Sequence, residues 1–233
     1  MEQISFLVRI AGFAAITGTF LYALGDVLLL ASKVNLDLYP KLKPFVKLLF
    51  DAEKMVVLSP QRMTWGALMG VFATPLVIAG YWQIYQGLAG ANPALVLVTV
   101  LLFFCASVIG AFVHGTFYYL GEYVLALNQV DEPSQMVIAD MIARHRKVLI
   151  ISYAPVMIMV VIASILFSII VATQTTRFPA WMVAVNPLTL IVVWLIVKRI
   201  LPQLARDWTE GAGFNIGFLI FFAITTTHIL WNV

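Results

Sequence analysis

Apolar residues run along this chain in six blocks, each about the length of a membrane-crossing helix. They extend roughly from Ile10 to Ala31, Gly66 to Leu88, Ala94 to Phe117, Leu149 to Val171, Trp181 to Val197 and Ala212 to Leu230. About 20 apolar residues in a helix cross the roughly 30 Å of bilayer hydrocarbon. The strands of a membrane barrel would instead be about ten residues long and alternate apolar with polar, a pattern absent here. The expected fold is therefore an all-α integral membrane protein, a six-helix transmembrane bundle forming one domain over residues 1–233. The first block contains Asp26 and has no clear cleavage site, so it reads as a span and not as a signal peptide.

Between the first two blocks the pattern changes. From Leu42 to Val57, Leu42, Phe45, Val46, Leu49 and Phe50 recur at helical spacing, opposite Lys43, Lys47, Asp51 and Lys54. This predicts an amphipathic helix on the membrane surface, with a cover over the end of the bundle as the competing reading. In SPQRMTWG, Ser59 is placed to cap a helix that Pro60 begins. A shorter helix is expected over Pro133 to Arg144, with Asp140 and Arg144 paired four residues apart. Asn186 followed by Pro187 marks another helix start.

Composition agrees with the pattern: 62% of the 233 residues are hydrophobic and 11% charged. The net charge of +3 says little as a total, but its placement is asymmetric. With six spans, Lys33, Lys41, Lys43, Lys47, Lys54, Arg62, Arg144, Arg146, Lys147, Lys198, Arg199 and Arg206 all fall on one side. Arg9 and Arg177 are left for the other. The positive-inside rule then puts the basic loops in the cytoplasm and both termini outside. Orientation and anionic headgroups account for these charges, so no nucleic-acid partner is expected. Cys105 is the sole cysteine, which excludes an intramolecular disulfide and reads as a small packing residue.

Polar residues inside the apolar blocks carry the candidate chemistry, because ionisable groups there are costly. Helical spacing puts Ser107, Gly110, Ala111, His114, Tyr118, Gly121 and Glu122 on one stripe. Ala15, Thr19, Tyr22 and Asp26 form a second stripe, and Gly211, Asn215, Phe218, Phe222 and Thr225 a weaker third. At about 1.5 Å per residue, Asp26 lies roughly 9 Å before Ser32, His114 roughly 12 Å before Glu122, and Asn215 roughly 8 Å after Glu210. All three approach the cytoplasmic surface, at a level compatible with Arg62, Ser152 and Tyr153. The expected ligand-binding set is Asp26, Arg62, His114, Tyr118 and Asn215, with Asp26 and His114 as the catalytic candidates if there is a reaction. The structural alternative is that these groups only make interhelical hydrogen bonds, worth about 0.6 kcal/mol each in membranes.

No cofactor or metal is expected. His228 falls at the outer end, on the order of 20 Å from His114 in a bilayer of ordinary thickness, too far to share a haem. His145 belongs to a basic loop, which leaves His114, His145 and Asp26 as a weak metal set. Neither a G-x-S-x-G elbow nor a H-E-x-x-H motif occurs. YWQIY, Trp181 and Trp231 suit an outer aromatic belt. Gly66-x-x-x-Gly70 and Gly213-x-x-x-Gly217 permit close helix approach, including in a homo-oligomer.

Several strings taken together resemble an uncharacterised family of six-span bacterial membrane proteins, a domain of unknown function: LGDVLLL, SPQRMTWGALMG, GYWQIY, GAFVHGTF, FPAWMVAVNPL and GAGFNIGFLIFF. The resemblance covers most of the chain and puts Asp26, Ser59, Arg62, His114, Asn186, Pro187 and Asn215 at signature positions. The basic loop from Lys33 to Leu58 departs from it. It implies a bacterial cytoplasmic membrane location and no particular activity. The reading that the residues favour is a pocket near the cytoplasmic leaflet for a membrane lipid or small amphipathic molecule. The competing readings are an enzyme with Asp26 and His114 as acid and base, a proton-coupled transporter using Asp26, and a purely structural protein.

Overall fold

The computed structural model describes residues 6–232, which contain no strand. The α-helices in chain order are α1 (Phe6–Leu30), α2 (Val46–Leu49), α3 (Pro60–Gly87), α4 (Pro93–Gln129), α5 (Glu132–Ala172), α6 (Pro187–Ile200), α7 (Gln203–Trp208) and α8 (Gly213–Asn232). Five of them, α1, α3, α4, α5 and α8, are long and apolar enough to cross a membrane. Exposed side chains such as Phe20, Phe72, Leu101, Ile158 and Ile165 cover their outer faces, a surface suited to hydrocarbon.

Four helix starts follow one chemical rule, a polar cap with proline in the first turn. Ser59 accepts a hydrogen bond from Arg62 N, Asn92 from Ala94 N and Leu95 N, Asp131 from Ser134 N, and Asn186 from Thr189 N. The last of these breaks the fifth apolar block. Proline donates no backbone hydrogen bond and pushes the preceding residue to extended geometry, and Asn186 has φ −131° and ψ 157°. In place of one continuous helix over Trp181 to Val197 there is a 3-10 turn, Ala180–Ala184, followed by the 14-residue α6. Asn186 also donates to Ser168 Oγ, 3.0 Å away, and Ser164 Oγ accepts from Leu188 N, tying this break to α5.

The expected amphipathic helix over Leu42 to Val57 is likewise broken. The segment is a 3-10 turn (Pro40–Phe45), the single turn of α2, and a second 3-10 stretch (Ala52–Val57). The break falls at Phe50 and Asp51, both left-handed with φ 48° and 71°. Its buried apolar residues meet protein: Leu42, Leu49, Ala52 and Val56 pack on Leu120, Val124 and Leu127 of α4 and Ile142 of α5, while Phe50 stays exposed.

That packing is available because α4 and α5 are longer than a membrane crossing requires. Their 37 and 41 residues correspond to roughly 55 and 60 Å, against about 30 Å of hydrocarbon. The short helix expected over Pro133 to Arg144 is the opening of α5, continuous with its apolar part, and its Asp140 and Arg144 do pair.

Cations in or beside the loops cap helix ends. Lys41 Nζ donates to the Val130 carbonyl at 2.8 Å, just past the end of α4. Arg62 Nε donates to Leu28 O at 2.7 Å and Nη2 to Val27 O at 3.5 Å, closing the last turn of α1. Lys33 pairs with Asp207 at 2.6 Å, and this hydrogen bond holds the Asp207 carboxyl below the usual range.

Around the bundle, α1 lies along α3, α4 along α3 and α5, and α8 along α1 and α6. The glycine pairs serve these internal approaches. A Cβ on Gly25 would stand 2.7 Å from the Gly66 carbonyl, and one on Gly217 would stand 2.5 Å from Ile191. Tyr81, expected in the aromatic belt, is buried and bonded to Ser107, whereas Trp82, Trp181 and Trp231 are exposed. Cys105 is exposed too, so it is not a packing residue of the core.

Removing the Arg62 cap leaves the Val27 and Leu28 carbonyls without these donors. Arg62→Ala should lower stability by about 1–3 kcal/mol, read as an earlier thermal transition in detergent. An unchanged transition would contradict the capping role.

Candidate functional site

Three of the expected residues converge. Asp26 on α1 accepts a 2.7 Å hydrogen bond at Oδ2 from Asn215 Nδ2 on α8. Its Oδ1 lies 3.3 Å from His114 Nε2 on α4. The side chains of Asp26 and His114 are 13% and 7% exposed, so the pair is largely removed from solvent. Three helices distant in sequence are thus joined at one carboxylate.

The imidazole is oriented from its other side. Its Nδ1 is 3.0 Å from the Ala67 carbonyl of α3. A carbonyl only accepts, so the hydrogen-bond network assigns the Nδ1 proton. Nε2 then faces Asp26 either as an N–H or as a lone pair. The two groups lie within pairing distance, and Nε2 makes no well-aligned hydrogen bond.

Glycine makes room for the ring. A Cβ on Gly70 would lie 2.5 Å from His114 Cγ, and one on Gly25 would lie 2.9 Å from Cε1. His114 therefore occupies a slot between α1 and α3. Tyr22 closes the slot edge-on, with ring centroids 5.2 Å apart. Because Thr74 Oγ1 donates to Gly70 O at 2.9 Å, the 2.5 Å contact between Tyr22 and Thr74 has the tyrosine as donor.

These groups border a cavity of about 630 Å³. Its polar side is formed by Asp26, His114, Asn215, Tyr22 and Tyr153, and its deep end by Val77, Tyr81, Val156, Val160 and Phe218. Gly110 borders it as well, and a Cβ there would meet nothing within 4 Å. Ile150 and Tyr153 of α5 both line the cavity and are exposed on the bundle surface, so it opens sideways beside α5. Beyond Tyr81 the interior is solid: Phe103, Phe167, Phe221 and Phe222 are fully buried and packed ring against ring.

Two expected residues stand apart. Arg62 is turned onto the end of α1 and does not line the cavity. Tyr118 lies against Tyr119 and the small cluster around Leu29, Met55 and Met63, also outside the lining. His145 faces Tyr123 in a separate groove, and His228 contacts the Arg177 carbonyl at the other end of the bundle. Among the described residues no three His, Cys, Asp or Glu side chains gather as a metal set.

Arg146, by contrast, was not expected and lines the cavity mouth with Leu49 and Phe50. Assigned to a loop, it was separated from the span that follows. Because α5 is continuous, Arg146, Ile150 and Tyr153 share one face at i, i+4 and i+7. Carrying the helical period back past Leu149 would have found it.

Fold and site together define an all-helical chain whose long apolar helices suit several membrane crossings, with a carboxylate–imidazole pair beside an internal cavity. The chain belongs to DUF6796, a family of unknown function, which matches residues 1–232. No curated protein and no solved structure matches it.

Gly70, against the His114 ring, and Gly110, one turn before His114 on α4, should respond in opposite directions to the same change. Gly70→Ala forces a methyl group into the imidazole and should cost about 1–3 kcal/mol. Gly110→Ala enters open space on a helix and should stabilise by about 0.5–1 kcal/mol. Chemical denaturation in mixed micelles measures both, and equal effects would contradict the slot.

Proposed function

We propose that the protein binds a membrane lipid or small amphipathic molecule in this cavity, within the cytoplasmic leaflet of a bacterial inner membrane. The observation that carries the reading is a cavity with a polar side, an apolar deep end and a lateral opening beside α5. Its volume of about 630 Å³ falls within the several hundred Å³ usual for small-molecule sites. The Asp26–His114 pair with Asn215 supplies hydrogen bonds to a polar group, and the valines and Phe218 receive a hydrocarbon chain.

The orientation follows the basic loops. Lys41, Arg62 and Arg146 all lie at the end of the bundle nearer Asp26, which favours that end as cytoplasmic. On this reading the 3-10 turn at Ala180–Ala184 and α6 together make the sixth crossing, and both termini lie outside.

The approach of His114 to Asp26 beside the cavity keeps an enzymatic version in view, with His114 moving a proton to or from the bound molecule. Transport finds less support, because aromatic side chains fill the bundle beyond Tyr81.

Gly110→Trp should fill the cavity while leaving the fold in place. Protein purified in mild detergent should carry a lipid adduct in native mass spectra that Gly110→Trp loses at an unchanged thermal transition. An adduct kept by the variant, or wild-type protein free of any adduct, would sink the proposal.

A further inference from the structure

We infer that the occupant carries an anionic headgroup and that Arg146 receives it; this rests on the reading of the cavity as a lipid site. Arg146 is the cation that lines the cavity. Among the described residues no carboxylate pairs with it, whereas Lys33 pairs with Asp207, Lys43 with Asp37 and Lys198 with Glu210. A guanidinium at a membrane boundary without an acidic partner is a ready acceptor of a carboxylate or phosphate.

The side chain is already held in place. Nη1 donates to the Leu48 carbonyl and, at 3.3 Å, to the Lys47 carbonyl. The guanidinium carbon lies 5.4 Å from the centre of the Phe50 ring. Among the described residues Nε and Nη2 donate no hydrogen bond, so three of the five N–H donors remain for a ligand. Stacking and the two carbonyls fix the plane of the fork, and a fixed fork suits the two oxygens of a carboxylate or phosphate.

The cavity's own acid is already engaged, with His114 3.3 Å from one oxygen and Asn215 donating to the other. Going inward, the order is therefore a cation at the mouth, a hydrogen-bonding belt, and an apolar end. That is the order of an anionic headgroup, a polar linkage and an acyl chain. Phe50 is 75% exposed beside Arg146, where an aromatic ring suits the headgroup level of a leaflet.

The test uses the full chain in neutral detergent with three defined probes: oleate, 1-oleoyl-lysophosphatidate and the uncharged monoolein. Wild-type protein should bind at least one anionic probe about tenfold or more tighter than monoolein. Arg146→Gln should shrink that preference to about twofold or less, and Arg146→Lys should keep part of it. The stronger of the two anions shows whether a carboxylate or a phosphate is the natural headgroup. If Arg146→Gln does not fold, Arg146→Lys carries the test: a preference reduced from wild type supports the role of Arg146, and an unchanged one overturns it.

Equal wild-type binding of all three probes would overturn the role of Arg146 and leave the cavity reading standing. So would a preference that survives in folded Arg146→Gln. Failure of every probe to bind would overturn both.

Discussion

A carboxylate inside an apolar helix bundle must find partners or take up a proton, and Asp26 organises the bundle around that need. An unpaired charge in hydrocarbon costs several kcal/mol at least. Its partners come from two other helices, His114 on α4 and Asn215 on α8. His114 in turn is anchored to Ala67 on α3. Glycines at positions 25 and 70 let α1 and α3 approach closely enough for the ring to sit between them. The four helices thus meet at one electrostatic junction, and the cavity is the space left beside it.

That space persists because the two halves of the bundle are built differently. At the end beyond Tyr81, phenylalanine rings from α4, α5 and α8 fill the interior and hold the helices apart and in register. Toward the other end, Tyr153 of α5 faces Phe214 of α8 with ring centroids 6.5 Å apart, and both line the cavity. The first loop braces this looser end. It packs on α4 and α5, and Lys41 and Arg146 hydrogen-bond backbone carbonyls across elements. A rigid half and a braced half together maintain a hollow that a uniformly packed bundle would close.

Much of the junction was legible in the sequence. The helical period put Asp26, His114 and the residue types around them on inward stripes, and Thr19, Tyr22, Ser107, Gly110 and Phe218 from those stripes border the cavity. Periodicity works there because each stripe lies within one uninterrupted helix. It fails where a neighbour decides the outcome. Arg62 has the right depth, but the free carbonyls of α1 draw its side chain away. Tyr118 has the right face, but it lies one turn beyond His114, where α4 meets the methionines around Met63. Arg146 was obscured by the boundary drawn between loop and span, which the continuous α5 does not respect. The two left-handed residues that end α2 carry no glycine to announce them.

Photocross-linking addresses the cavity most directly. A fatty acid with a diazirine near its methyl end, photolysed with the protein in nanodiscs and mapped by peptide mass spectrometry, reports where the chain terminus rests. The account predicts label on Val156, Val160 and Phe218 at the deep end. Label confined to outward-facing residues such as Phe72, Leu101 and Ile165 would contradict it.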